Sequence, residues 1–282
     1  MMNLLPKRWR ALTAPAWLAS AFMMMTPANA ASLPTASLVP GGIALLPVAA
    51  SGDHAPAVYY RDQRVIVIRT DQGWTAVVGI PLETKPGVQT AQARGTDLKL
   101  VFNVEGKAYE VQHITLSNQR MVTPAEADLK RIREETARMT KIYRHWTDVA
   151  DLPLPFQSPI SGRQSSAFGL RRVFNGESRN PHSGLDIAAP KGTPVGAPAE
   201  GTVVNTGDYY FNGRTVFIDH GQGLITMYCH LDEIRVHEGQ KIKRGDILGT
   251  VGMSGRATGA HLHWTVSIND ARVDPRLFLA PD

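Results

Sequence analysis

The chain has 282 residues, 43% of them hydrophobic and 20% charged, with 30 Lys+Arg against 25 Asp+Glu and a single cysteine. One cysteine excludes an internal disulfide, so stability rests on packed cores, which about 250 residues beyond a leader allow as two domains. The formal charge of +5 is partly carried by Lys7, Arg8 and Arg10. The remainder is close to neutral and has no basic block of the kind that marks nucleic-acid binding.

Residues 1–30 read as an export signal. Lys7, Arg8 and Arg10 form a positive start, Ala11 to Met25 a mostly apolar middle, and Ala28-Asn29-Ala30 a small-x-small site with cleavage expected after Ala30. The apolar run falls short of the roughly 20 residues that span a bilayer. No cysteine follows the site to take a lipid, and the later run Leu38–Ala50 is broken by Pro40, Gly41, Gly42 and Pro47. The protein is expected in the periplasm or outside the cell.

Residues 31–120 are expected to form a small β-sandwich-like domain. Runs at Ala57–Tyr60, Arg64–Arg69, Trp74–Ile80, Leu98–Val104 and Tyr109–Leu116 are β-branched or aromatic, with turn signals such as Asp71-Gln72-Gly73 and Lys85-Pro86-Gly87 between them. His54 and His113 stand alone there and read as solvated or packed. Residues 121–156 hold a linking helix and a stiff linker. Thr123-Pro124-Ala125-Glu126 predicts a capping box. Leu129, Ile132, Met139, Ile142 and Trp146 make one apolar stripe that would pack on a neighbouring domain, and His145 has no partner at ligand spacing. Leu152-Pro153-Leu154-Pro155 ends this region.

From residue 157 to 282 the pattern returns to strands, predicted at Thr193–Ala197, Gly201–Thr206, Thr215–His220, Leu224–Tyr228, Lys241–Leu248 and His261–Ile268. All the chemistry-bearing motifs lie here. His261 and His263 alternate along a strand, so both imidazoles project from one face while Leu262 faces the other way. Two imidazoles on an otherwise apolar strand need partners, and a metal is the simplest. His182 and Asp186 are four apart; Pro181 and Gly184 argue against a helix, so Asp186 enters an extended segment from Leu185 to Ala188. A carboxylate with imidazoles suits zinc and leaves an open position. His230 ends a strand beside Cys229 and is placed near the metal as a non-ligand. Cys229 reads as a buried small hydrophobe, His220 as a structural residue at a hairpin corner, and His237 as solvated.

At these residues the chain resembles the lysostaphin-type, or LytM-type, zinc metallopeptidases, which act as peptidoglycan endopeptidases. The shared pattern is His182-x(3)-Asp186, then His230 ahead of an apolar residue, then His261-x-His263, preceded by Ser254-Gly255-Arg256-Ala257-Thr258-Gly259. The resemblance covers about residues 157–278 and implies a C-terminal antiparallel β-sheet with a groove. It implies His182, Asp186 and His263 as ligands of one zinc ion per chain, and His230 and His261 as catalytic histidines. It also suggests an aromatic hydroxyl near the substrate, for which Tyr209 and Tyr210 are candidates. No His-Glu-x-x-His helix is present, and Ser183 and Ser254 lack a triad. The partner expected is peptidoglycan, and the bond expected is D-alanyl–diaminopimelate in a Gram-negative periplasm. The competing expectation is a non-catalytic LytM-type activator of a cell-wall amidase; the five filled positions weigh against it. The N-terminal domain is expected to position the enzyme or limit access to the groove.

Overall fold

A computed structural model describes Met1 and residues 33–280 apart from 51, 53, 116 and 118. The body of the expected export signal and its cleavage site after Ala30 lie outside the described residues. No described helix is long and apolar enough to cross a membrane. The described part is mainly β, as expected. Its N-terminal strands are β1 (Ile43–Val48), β2 (Val58–Tyr60), β3 (Gln63–Arg64), β4 (Ile66–Thr70), β5 (Gly73–Gly79), β6 (Gly87–Ala93), β7 (Lys99–Val104) and β8 (Val111–Ile114). One sheet has the order β1-β5-β4 and the other β3-β2-β6-β7. The composition-based strands land on β2, β4, β5, β7 and β8 within a residue or two. β1 and β6 were not expected. Pro47 sits in β1 because β1 is an edge strand, where the missing N–H breaks no ladder.

The β1-β5-β4 sheet is buried on both faces by strict alternation. Ala44, Leu46, Val67, Ala76 and Val78 face the sandwich interior with Val58, Ala91 and Phe102. Ile43, Ile66, Ile68 and Val77 turn the other way, into a core shared with Phe156, Leu262, Trp264 and Ile268 of the C-terminal half. The two halves thus share one hydrophobic core. Buried hydrogen bonds stitch the same seam: Val67 N–H donates to Gln222 Oε1 at 3.0 Å, and Asn269 bonds both the N–H (2.7 Å) and the C=O (3.0 Å) of Gly79. The Pro-containing segment at 152–155 is docked as well, with Leu152 and Leu154 against the common core.

The helix α1 runs Glu126–Tyr143. The expected capping box does not form. Ala125 is the N-cap, without a side-chain bond, and the Thr123 hydroxyl instead donates to Glu177 Oε1 at 3.0 Å. Only the C-terminal end of the helix packs: Ile142 and Tyr143 are buried against Tyr209, Phe217, Ile225, Met227 and Cys229. Trp146 lies beyond the helix, where its indole N–H donates to Asp148 at 2.8 Å.

The C-terminal strands are β9 (Arg163–Ser166), β10 (Arg171–Phe174), β11 (Glu177–Ser178), β12 (Leu185–Ala188), β13 (Pro194–Gly196), β14 (Gly201–Tyr209), β15 (Gly213–Asp219), β16 (Ile225–Ile234), β17 (Lys241–Ile242), β18 (Ile247–Val251), β19 (His261–Ile268) and β20 (Ala271–Val273). A ten-stranded sheet carries the path β17-β14-β15-β16-β19-β12-β9, with β13, β18 and β20 attached at its side. The predicted single strand from Lys241 to Leu248 is split in two by the Gly245 turn, where φ is +86°. A third small sheet, β11-β10-β8, pairs β8 in parallel with β10. β8 therefore leaves the sandwich to which its sequence position assigned it and lies beside the C-terminal groove.

Candidate metal centre

Three neighbouring strands bring the predicted residues together. Asp186 on β12 stands directly opposite His263 on β19, and His263 stands opposite Cys229 on β16. His261, two residues before His263, shares its face, while Leu262 and Trp264 are fully buried on the other. His182 reaches the same point from the loop before β12. Its backbone is anchored by His182 N–H to Leu170 O and Gly169 N–H to His182 O, both 2.8 Å.

The ligating atoms converge. His182 Nε2 lies 2.8 Å from Asp186 Oδ1 and 3.0 Å from His263 Nδ1, and His263 Nδ1 lies 2.8 Å from the same Oδ1. Tetrahedral coordination at about 2.0–2.2 Å puts ligand atoms roughly 3.3 Å apart, so this buried set fits a zinc ion with little movement. The outer bonds agree. His182 Nδ1–H donates to Ala167 O at 2.7 Å, which leaves its Nε2 lone pair facing inward. His263 Nε2 contacts the Thr265 hydroxyl at 3.0 Å, leaving Nδ1 inward. Asp186 Oδ2, turned away from the cluster, is held by Arg172 Nη2 at 2.6 Å. These three residues are the group able to hold a metal ion among the described residues.

The electrostatics favour that state. Burial pushes the Asp186 carboxyl up, but its hydrogen bonds to His182 and His263 outweigh this and hold it far below the usual carboxylate range. Burial, against the pull of Asp186, lowers His263 to about 4, so it presents a neutral imidazole at neutral pH.

His230 and His261 flank the cluster. Their rings are 4.8 Å apart, and His261 Nε2 is 3.9 Å from Asp186 Oδ1. Each Nδ1–H donates to a backbone carbonyl at 2.8 Å, His230 to Ser254 and His261 to Gly259. Both rings are thereby fixed with the Nε2 lone pair free. Burial, then His263 and His261, lower His230 to about 3, so it stays neutral. His230 also has a backbone φ of +61° at a register shift where Arg214 pairs with Leu231 but Val216 with Tyr228. Simple alternation would turn His230 with Tyr228 into the common core. The bulge re-aims it to the groove beside Cys229.

A groove of about 990 Å³ reaches His182, His230 and His263, and a smaller one of about 230 Å³ reaches Asp186, His230 and His261. Ile132 and Met139 of α1 wall the larger, so this part of the helix stripe lines the groove. Gln112 and Ile114 of β8 wall the smaller. Arg172 and the β8 residues carry no motif and were missed by sequence reading. The other histidines fall as expected or nearly so. His220 is buried between Glu200 O (2.7 Å) and the Thr226 hydroxyl (2.8 Å), and His54, His113 and His237 are exposed. His145 does have an acidic neighbour, Asp219, at 3.5 Å. Tyr209 bonds Asn205, and Tyr210 bonds Arg120 O and Asp128 at 3.0 and 3.1 Å; neither lines the groove. Cys229 is buried, and burial raises its thiol to about 12.

Both halves of the chain resemble known proteins. Residues 180–275 match the model for peptidase family M23, and residues 37–107 the model for the peptidase family M23 N-terminal domain. The chain is 38% identical over 128 residues to peptidoglycan DD-endopeptidase ShyC of Vibrio cholerae, covering 44% of this chain and 29% of that protein. It is 42% identical over 113 residues to ShyA of the same species and 41% identical over 113 to the DD-carboxypeptidase/endopeptidase Mpg of Neisseria meningitidis. Each match covers 40% of this chain and 26% of the relative. The chain thus spans less than a third of these curated relatives. A crystal structure of an M23 peptidase from Pseudomonas aeruginosa is similar over 86% of this chain and 95% of its own, at 45% identity and a TM-score of 0.72.

Proposed function

Because the chain belongs to peptidase family M23, we propose that it is an exported zinc-dependent endopeptidase that hydrolyses D-alanyl–diaminopimelate cross-links of peptidoglycan in the periplasm. The observation that carries this reading is the convergence of His182 Nε2, Asp186 Oδ1 and His263 Nδ1 beside two imidazoles with free Nε2 atoms. The names of the similar DD-endopeptidases support the substrate and the bond.

His182, Asp186 and His263 are the metal ligands in this reading. A zinc ion held there supplies Lewis acidity, lowering the pKa of a water toward about 7 and polarising the scissile carbonyl. His261, whose Nδ1–H is held by the Gly259 carbonyl at 2.8 Å, takes the proton of the attacking water at its free Nε2. The same Nε2–H then returns the proton to the leaving amine. Burial and two neighbouring imidazoles disfavour a charge on His230, so its Nε2 acts as a hydrogen-bond acceptor that orients the water. Arg172 holds Asp186 in the orientation that presents Oδ1.

The test is incubation of the purified chain with intact peptidoglycan, with and without chelator, followed by mass spectrometry of the muropeptides. The expected result is loss of cross-linked dimers with new D-alanyl carboxyl ends, abolished by chelator and restored by zinc. Intact cross-links in the presence of zinc, with stimulation of a separately added amidase, would overturn it.

A further inference from the structure

Asp186 is held by a chain of contacts that starts outside the histidine cluster. Arg172 Nη2 donates to Asp186 Oδ2 at 2.6 Å and to the Ser166 hydroxyl at 3.0 Å. Among the described residues these are the hydrogen bonds of the guanidinium, whose Nε is buried without a protein partner. The Ser166 hydroxyl donates onward to Gln112 Oε1 at 3.4 Å, a long contact. Gln112 and Arg172 are register partners in the parallel pairing of β8 with β10, and both reach the same serine.

Strand pairing explains why Ser166 is there. β9 sets Ser166 directly opposite Asp186 on β12, and the register shifts at that point. Ser166 pairs with Asp186 but Gln164 with Ile187, so Ser165 is the extra residue of a bulge. The Ser165 hydroxyl donates to the backbone carbonyl of Asp186 at 3.2 Å. Two adjacent serines thus hold this residue, one at its carbonyl and one, through Arg172, at its carboxylate. Ser166 and Asp186 are both buried, so water competes little for these bonds, and bonds from a charged donor are stronger than neutral ones. A guanidinium is planar with its N–H groups in fixed directions. A second acceptor on Nη2 therefore sets where the plane stands and which way Oδ2 is drawn.

We propose that Ser166 is a positioning residue of the metal centre, acting through Arg172 to fix the rotation of the Asp186 carboxylate so that Oδ1 faces His182 and His263. This rests on the metal-ligand assignment in the reading above. Oδ1 stands 2.8 Å from both His182 Nε2 and His263 Nδ1. A carboxylate free to turn about its Cβ–Cγ bond loses that presentation, and the ligand set is then no longer formed before the ion arrives.

The test measures zinc affinity by competition with a chelating dye for the metal-stripped wild type, S166A, S166T, R172M and the S166A/R172M double variant. S166A is expected to bind zinc about 10-fold more weakly, the low end for outer contacts of a metal ligand. S166T keeps the hydroxyl and should stay close to wild type. R172M should lose at least as much as S166A, and adding S166A to it should cost nothing further, because residues acting in one chain of contacts are not additive. Unchanged affinity in S166A, whatever its unfolding midpoint, reduces the serine to a structural role and overturns the proposal. So does a loss that adds in full to that of R172M, or an S166T that loses as much as S166A. Should R172M fail to fold, the comparison of S166A with S166T decides alone. Affinity is read without substrate, which separates the two readings. A zinc-loaded wild type that leaves cross-links intact defeats the endopeptidase reading alone, and a wild type that binds no zinc overturns both.

Discussion

Gly184 shows how little room the centre leaves. A Cβ at that position would stand 2.7 Å from His263 Nε2 and 2.6 Å from Trp264 O. The loop that delivers His182 can approach β19 only without a side chain there. Gly184→Ala is expected to displace the His263 ring and lower zinc affinity by about 10-fold or more, the range found for perturbed outer-shell contacts. Competition with a chelating dye measures it. His230→Gln should do the opposite: zinc stoichiometry stays at one per chain while kcat falls by roughly 10²–10⁴, as for loss of a positioned acid–base group. Loss of bound metal in that variant would instead make His230 a ligand.

Among the elements, the hairpin between β19 and β20 does two jobs. Its turn residues Asn269 and Asp270 have φ of 41° and 60°, and the Asn269 carboxamide bonds both backbone groups of Gly79. Asn269→Gly keeps the turn conformation but leaves a buried N–H and C=O unpaired. The expected cost is about 1–3 kcal/mol per orphaned group, read as a lower urea midpoint. The helix makes a different case. Its apolar stripe is legible, but only Ile142 and Tyr143 are buried; Met139 is partly buried against their cluster and also lines the groove, and Ile132 lines the groove. Periodicity reports which face is apolar, and it does not report whether that face meets protein or substrate.

At the scale of the molecule, the N-terminal sandwich packs into the same core as the strands that carry the candidate metal centre. Ile43, Ile66, Ile68 and Val77 sit in one cluster with Trp264 and Ile268, each worth about 1.5–3 kcal/mol when fully buried. Intact protein should unfold in one calorimetric transition, and a chain starting at residue 109 should lose solubility or melt far lower. A free-standing, equally stable fragment would contradict the shared core. Acid should also weaken the whole fold through His220. Burial lowers its pKa to about 4, so between about 6.5 and 4 the unfolded chain binds a proton that the folded one does not. Its contribution is intact above pH 6.5 and lost progressively as pH falls to 4. The stability difference between wild type and H220Q should shrink across that window.

The sequence by itself determined the class of strands, the His182–Asp186 pair, the common face of His261 and His263, and the residue types of a candidate metal centre. Spacing within one strand is local, and side-chain alternation follows from backbone geometry alone. Only the tertiary structure decided that Asp186 stands opposite His263, because register between strands about 75 residues apart is set by the packed core. It also decided, through the bulge at His230, that this ring points into the groove, and through the parallel pairing of β8 with β10 that the segment after the sandwich forms part of the groove wall. Such features depend on contacts between distant segments, which no local pattern of residues records.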